Sequence, residues 1–374
     1  MFENLPAEAF SRGSVIGWGF SVLTFLLCRY LVNRWNTQSE KRGRPGAKVK
    51  LVPRGRMQLE PQLNIEWNNI EPAKFRPFKP QYAMTMALEK ADFQEWLLLE
   101  NTYDRMTTHR SEIAKNHTQD VNLVVDDPRT TAAVYELYDT VVGYMFTKWP
   151  QYFSRDGKNI KNLIKNTTFP ANAERSKQSP KRLLEYLAEN VEEDFIVLEY
   201  DENEEEYIAK AATFIAPSGF VPAEKVGIKL SDIHGPVPKY DEKLKLSMNR
   251  FFRRIETGQL VKRFNWTIQN SDKIYLPKGS HAGAAEKVER LHAKDLDFDH
   301  TVHFRVERQT LSRLPKSRFL VFTIRTYLTP LSQLKKEGLG ERLVEAIHGL
   351  PSYIKQYKRA DAWGPAVEEY MTMP

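Results

Sequence analysis

TVHFRVERQ (residues 301–309) and RFLVFTIRTY (residues 318–327) carry the pattern that decides the fold. Both stretches alternate polar residues with β-branched and aromatic ones, which predicts two strands. The connection between them contains Pro315 and has a length that hairpins use. We therefore expect an antiparallel strand pair here.

Three earlier segments carry the same strand signal: FIVLEY at 195–200, YIAKAATFIA at 207–216 and VKRFNWTI at 261–268. The acidic DENEEE between the first two is expected to form a hairpin tip. Helical patterns flank the strands at about 240–256 and 330–347. The predicted class is α+β, an antiparallel sheet with helices on one side.

Two helices are predicted before these strands. Apolar residues spaced along Asp92 to about Ile113 indicate an amphipathic helix. Asp127 followed by Pro128 is typical of an N-cap and first turn, and the helix that they begin should end before Pro150.

The N-terminal segment SVIGWGFSVLTFLLCRYLVN (14–33) is apolar and long enough, as a helix, to cross a bilayer. It lacks the cleavage pattern of a signal peptide. We therefore predict a short non-cytosolic tail (1–13), a transmembrane helix (14–33), a basic flexible linker (34–60), a folded domain (61–345) and a C-terminal helical tail (346–374). The basic residues follow the apolar segment, so a single-pass protein with a cytosolic body is expected.

Composition narrows the classes of protein. The formal net charge of the 374 residues is +7, and much of the excess is close to the predicted membrane helix. Contact with anionic lipid explains this placement better than nucleic acid does. The single cysteine, Cys28, excludes an intramolecular disulfide, a cysteine-based zinc site and an iron–sulfur cluster held by this chain.

Complete catalytic motifs are absent from the sequence. There is no GxGxxG after a strand, no phosphate-binding GxxxxGK[ST], no GxSxG and no HExxH. No histidine is followed two positions later by an acidic residue, which argues against a two-histidine, one-carboxylate iron site.

His234 differs from the other histidines because it lies in SDIHGPVPKY (231–240), where two prolines and a glycine stiffen the backbone just before a helix. A rigid loop suits a metal ligand, because the imidazole must be held at a set angle. The residues alone also fit a simpler role, in which His234 stabilises its own loop.

Arginines are dense on the late strands: Arg305, Arg308, Arg313, Arg318 and Arg325, with Arg263 on the strand before. A guanidinium pairs bidentately with carboxylates such as those of haem propionates. A salt-bridged sheet surface that uses Glu307 and neighbouring acids is the alternative.

Several long strings resemble the haem-dependent oxidative N-demethylase family: FRPFKPQYAMTMALEKADFQEWLLLENTY at 75–103, KWPQYF at 148–153, VEEDFIVL at 191–198, FIAPSGFVPAEKVGIKLSDIHGPVPKY at 214–240, RFNW at 263–266 and FRVERQTLSRLPKSRFLVFTIRTY at 304–327. The resemblance covers most of the body but not residues 1–60. It therefore suggests a membrane-anchored member of the family, which we expect to be fungal.

The resemblance implies a PAS-like fold that binds haem b and uses O2 to oxidise an amine N-methyl group, releasing formaldehyde. His234 is the expected axial ligand. The other expected cofactor-binding residues are Arg263, Asn265, Arg308, Arg313 and Arg325, and Glu307 and Tyr240 are the catalytic candidates. Electrons must come from a separate flavin and iron–sulfur reductase, because this chain has neither signature.

Two other classes of function stay open at this point. One is a haem-binding PAS-like sensor or carrier that performs no reaction. The other is a membrane-tethered interaction protein without a cofactor, which the simpler readings of His234 and the arginines favour.

Overall fold

The structure is a computed structural model that describes residues 59–283 and 286–373. The predicted transmembrane helix, the tail before it and nearly all of the linker lie outside the described residues. Within these two ranges, no helix combines the length and the apolar character that a bilayer crossing requires.

The strands in chain order are β1 (Glu89–Ala91), β2 (Asn122–Val124), β3 (Phe153–Asp156), β4 (Asn159–Asn162), β5 (Thr167–Pro170), β6 (Asp194–Asp201), β7 (Glu206–Thr213), β8 (Leu260–Asn270), β9 (Val302–Arg313) and β10 (Leu320–Pro330). Seven of them form one antiparallel sheet in the order β1-β8-β9-β10-β6-β7-β2, and β3, β4 and β5 form a second sheet. The five predicted strands are all present, and both predicted hairpins are confirmed. The predicted α+β class is confirmed.

The helices in chain order are α1 (Tyr103–Asn116), α2 (Thr118–Val121), α3 (Pro128–Lys148), α4 (Ala173–Ser176), α5 (Pro180–Asn190), α6 (Leu230–Ile233), α7 (Leu246–Arg254), α8 (Leu331–Lys336), α9 (Gly340–His348), α10 (Ser352–Tyr357) and α11 (Ala360–Thr372). A π-helical turn, Asp241–Lys245, leads directly into α7. The last two helices pack into the same apolar cluster as α9, so residues after 345 belong to the packed body.

Helix α3 has the predicted boundaries. The Asp127 side chain accepts hydrogen bonds from the backbone N–H groups of Arg129 and Thr130, which would otherwise lack acceptors in the first turn. The helix ends at Lys148, two residues before Pro150.

The helix predicted from Asp92 to about Ile113 is wrong in its first half. Only a 3-10 turn forms there, at Phe93–Glu95, and regular helix begins at Tyr103. Trp96 is buried in the main core from this irregular segment. The backbone carbonyls of residues 95 and 96 accept hydrogen bonds from the Arg308 side chain on β9. In a helix they would accept from backbone N–H groups of the next turn.

The helix predicted over 330–347 is divided into α8 and α9. Gly338, between them, has φ of +72°, in the left-handed region that glycine adopts at little cost. The predicted helical pattern at 240–256 is confirmed as the π-helical turn followed by α7.

Helices cover both faces of the large sheet, which corrects the expectation of helices on one side. On one face, Phe195 and Val197 of β6 join a core that contains α3 and α5. On the other face, Leu198 of β6 and Leu311 of β9 pack with Met248 and Phe252 of α7. This second face also contains a cavity.

Candidate functional site

A cavity of about 350 Å³ lies against one face of the large sheet, within the size range of small-molecule and cofactor sites, roughly 300–1,000 Å³. Alternate residues of two paired strands form its polar end: Arg263, Asn265 and Thr267 of β8, and Arg305, Glu307 and Gln309 of β9. Asn265 and Glu307 are direct cross-strand partners.

The rest of the cavity wall is mainly apolar. It combines side chains of β6, β7 and β10 with the extended segment 82–88 and the region from α6 to α7. Representative lining residues are Met84, Met86, Leu88, Ile196, Leu198 and Phe322. A largely apolar ligand with one polar end would therefore find matching surfaces here.

His234 lines this cavity at the end of α6. Its Nδ1 lies 2.8 Å from the carbonyl oxygen of Leu230. A carbonyl only accepts, so Nδ1 carries the proton and Nε2 keeps its lone pair. Burial lowers the pKa of His234 below its usual value, which favours the neutral imidazole that a metal binds.

The stiff loop that follows His234 has the turn expected from its sequence. The N–H of Val237 donates to the carbonyl oxygen of His234 at 2.8 Å, which closes the turn. Tyr240 then stacks on the His234 ring, with 4.7 Å between ring centroids and 8° between ring planes. The Tyr240 hydroxyl is buried with no hydrogen-bond partner among the described residues, and burial raises its pKa.

Glu307 is held by neighbours on its own sheet. Its two carboxylate oxygens accept hydrogen bonds from Arg305 Nε at 3.1 Å, Gln309 Nε2 at 3.0 Å and Asn265 Nδ2 at 3.4 Å. The carboxylate is therefore fixed at the polar end of the cavity.

Arg263 lies at the polar end of the cavity, where Glu307 attracts its charge from beyond ion-pair distance. No hydrogen bond or ion pair of its side chain is found among the described residues, and its Nε is buried without an acceptor. Burial lowers the pKa of Arg263, although the guanidinium stays charged. A half-buried guanidinium with no direct partner among the residues that the structure describes suits an anionic group of a ligand.

Arg308 and Arg313 do not line the cavity. Arg308 donates to the carbonyls of residues 95 and 96, and Arg313 donates to the carbonyls of Ile255 and Phe252 and to the Tyr207 hydroxyl. Their donors are used to fasten loops to the sheet. The expectation that they pair with haem propionates does not fit this arrangement.

Arg325 also lies away from the cavity, on the opposite face of the sheet. It is 1% exposed and forms ion pairs with Glu100 at 2.6 Å, Glu192 at 2.8 Å and Glu193 at 3.3 Å. Its charge is already compensated inside the protein, so it is not a candidate for propionate binding.

Two residues that the sequence did not single out as site residues also line the cavity, His281 and Lys358. His281 stacks on Tyr357 with ring centroids 4.4 Å apart, and burial lowers its pKa to about 4. Lys358 follows α10, far away in the sequence. Neither position carries a local motif, because only the tertiary fold brings these loops to the strands.

The fold and the cavity together define an α+β protein with a small-molecule site on one face of an antiparallel sheet. Residues 87–368 match the family described as haem-dependent oxidative N-demethylase, alpha subunit-like. The match spans well over half of the chain, and the chain belongs to this family. The name of the family supports a haem cofactor and a haem-dependent oxidative function, and it leaves the membrane anchor and the fungal origin as predictions.

The residues around the cavity fit a haem group. Within the described part of the chain, His234 Nε2 has no hydrogen-bond partner, the Arg263 guanidinium has no ion pair, and most of the wall is apolar. These are the partners that an iron, a propionate and a porphyrin require, respectively. The structure thus brings together five predicted site residues at one cavity: His234, Tyr240, Arg263, Asn265 and Glu307.

Proposed function

We propose that this chain is the haem-binding subunit of an oxidative N-demethylase, which converts an N-methylamine and O2 to the shorter amine and formaldehyde. One observation carries the proposal: His234 lines the cavity with Nδ1–H bound to a helix carbonyl and Nε2 available. The same arrangement, a backbone carbonyl that fixes the tautomer, is typical of metal-ligating histidines.

Arg263 would hold a haem propionate. No hydrogen bond or ion pair of its guanidinium is found among the described residues, whereas the Asn265 amide is already used by Glu307 and Lys358. When bound, haem supplies the iron that activates O2 with electrons provided from outside.

Glu307 would receive the amine. Its fixed carboxylate, 13% exposed, accepts hydrogen bonds and favours a protonated or partly protonated nitrogen nearby. Tyr240 would position His234 through their ring stack. Glu307 and Tyr240 were the catalytic candidates from the sequence, and each is given a specific role here.

The electrons are expected from a separate reductase. The sequence contains one cysteine and no dinucleotide-binding motif, so it offers no cluster ligands and no flavin signature of its own. The words "alpha subunit-like" in the name of the family fit a complex of unlike subunits. Copurification with a flavin or iron–sulfur protein from native membranes would test this part.

The strand order supports the PAS-like part of the prediction. Counted along the chain, strands β6 to β10 lie in the spatial order 2-1-5-4-3, and the helical segment that carries His234 lies between the second and the third of these strands. This is the order that a PAS-like sheet requires.

We also propose that residues 14–33 anchor the chain in a membrane with its body in the cytosol. The apolar length and the basic residues after it support this topology. Carbonate extraction of the full chain and of a chain that lacks residues 1–33 tests it. The full chain is expected in the pellet and the shortened chain in the supernatant; a full chain that is extracted would contradict the anchor.

The test of haem binding is a visible absorption spectrum of the purified full chain, expressed with haem supply, beside His234→Ala and His281→Ala. Both histidines line the cavity, so His281→Ala is a matched control. We expect His234→Ala to lose or shift the Soret band and free imidazole to restore it. If only His281→Ala loses the band, the ligand is His281 and not His234. If the wild type shows no band, the proposal is overturned.

A further inference from the structure

Lys358 is a buried amine at the polar end of the cavity. Its Nζ donates hydrogen bonds to Asn265 Oδ1 at 3.2 Å and to the carbonyl of Trp266, and the residue is 8% exposed. None of the described carboxylates is within ion-pair distance of Nζ. The ammonium form therefore has two hydrogen-bond acceptors and no ion pair within the described residues.

The environment of Lys358 favours its neutral form. Burial is the main cause that lowers its pKa to about 8, and the positive charge of Arg263 adds to the effect, while Glu307 opposes it. At pH 7 about 10% of such amines are neutral, against well under ~0.1% of ordinary lysines. Desolvation and a neighbouring cation are the two conditions that activate a lysine as a nucleophile.

Lys148 shows that burial alone does not make such a site. It is 3% exposed, its pKa is also lowered by burial, and its Nζ donates to Gln94 Oε1. It does not line the cavity, so no ligand reaches it from there. Lys358 differs because it combines a buried amine with access to a ligand space.

We propose that Lys358 is a nucleophile that captures a small aldehyde in the cavity as a reversible imine. The neutral amine adds to the carbonyl carbon, and a proton moves from nitrogen to oxygen to give a carbinolamine. Loss of water then forms the C=N bond, and no oxidant or reductant is required. Water reverses both steps and releases the aldehyde.

Formaldehyde is the aldehyde that the proposed demethylation would release in the same cavity, so the choice of aldehyde rests on the proposed function. The buried position of Lys358 and its place in the cavity wall do not rest on the proposed function. Lys358 would hold the product until a second reaction consumes it, which limits the escape of a reactive molecule into solution.

The experiment treats the full chain with low formaldehyde and sodium cyanoborohydride at pH 7 and maps methylated lysines by peptide mass spectrometry. Cyanoborohydride reduces the imine by hydride transfer, so each captured formaldehyde becomes a methyl group on the lysine nitrogen. We expect Lys358 to be labelled at least about tenfold faster than Lys148 and the exposed lysines. Its labelling rate should level off above pH 8, because the amine is then largely neutral.

Lys358→Arg is the control variant, since it keeps the positive charge and donors but forms no imine. It should fold and lose the site. Labelling of Lys358 no faster than Lys148 in the wild type would overturn the inference, and this result does not depend on any variant. A Soret band without this labelling would support the haem proposal and contradict the aldehyde site. Labelling without a Soret band would support the aldehyde site and contradict the haem proposal.

Discussion

The ring of Tyr240 lies parallel to that of His234, with 8° between the planes, and its hydroxyl has no partner among the described residues. The ring and the hydroxyl therefore make separable contributions. Tyr240→Phe should change the free energy of unfolding by less than about 1 kcal/mol, because it removes a polar atom that forms no hydrogen bond.

Tyr240→Leu should weaken haem binding by about tenfold or more, because the support that orients the ligand is lost. Titration of each variant with haem, followed at the Soret band, measures the difference. Equal affinities in the Phe and Leu variants would mean that the stack does not position His234.

Gly219 leaves the space that His281 occupies. Its φ is +80°, and a Cβ added there would lie 2.5 Å from His281 Nδ1. Gly258 has φ of +84° with nothing within 4 Å, so Gly258→Ala measures the backbone effect alone, about 1–2 kcal/mol. Gly219→Ala should cost about 1–3 kcal/mol more through the steric overlap. Urea unfolding of both variants tests this; equal losses would mean that His281 moves away freely.

The low pKa of His281 predicts a loss of stability in acid. Burial is the main cause, Lys358 and Arg305 add to it, and Glu307 opposes it. The unfolded chain takes up the proton near pH 6.5 and the folded chain only near pH 4, so stability falls as pH decreases through this window. The slope is about 1.4 kcal/mol per pH unit at most.

His281→Gln should remove this slope, whereas His292→Gln, at an exposed position, should retain it. The measurement is the urea midpoint between pH 4 and 7 on the full chain before haem is added. An unchanged slope in His281→Gln would assign the acid sensitivity to other groups.

Arg325 forms ion pairs with three buried carboxylates on the face of the sheet opposite the cavity. Arg325→Met should lower the free energy of unfolding by about 3–5 kcal/mol, because it leaves buried charges unpaired. The control is Arg318→Met, whose ion pair with Glu256 is exposed and contributes about 0–1 kcal/mol. Chemical unfolding measures both. Loss of haem from a stable Arg325→Met protein would instead indicate a role at the cofactor.

Local signals in the sequence were sufficient for much of the fold. The Asp127 cap and the alternating strands depend on neighbours within a few residues, and these predictions are confirmed. The helix predicted from Asp92 is partly wrong because Trp96 is buried by a non-helical segment whose carbonyls bind Arg308, more than 200 residues later. Such a distant partner leaves no trace in a local pattern.

The site was predicted only in part, because the sequence does not show on which face of the sheet a strand residue lies. Arg263, Asn265 and Glu307 line the cavity as expected, but Arg308 and Arg325 are on the opposite face of the same sheet. The residue type indicates a possible chemistry and does not indicate a face. Arg313 shares the face of Glu307 but lies beyond the cavity, where carbonyls of the α7 region use its donors.

The two faces of strand β8 contact different parts of the protein. Arg263 and Asn265 line the cavity, while Phe264 packs toward the apolar cluster that contains the C-terminal helices. A one-residue insertion would exchange the two faces and turn the Phe264 ring into the ligand space and the Arg263 guanidinium toward the core. Insertions and deletions in this strand should therefore be tolerated only when they add or remove two residues. The alternation that builds the site thus also limits which length changes can be selected in evolution.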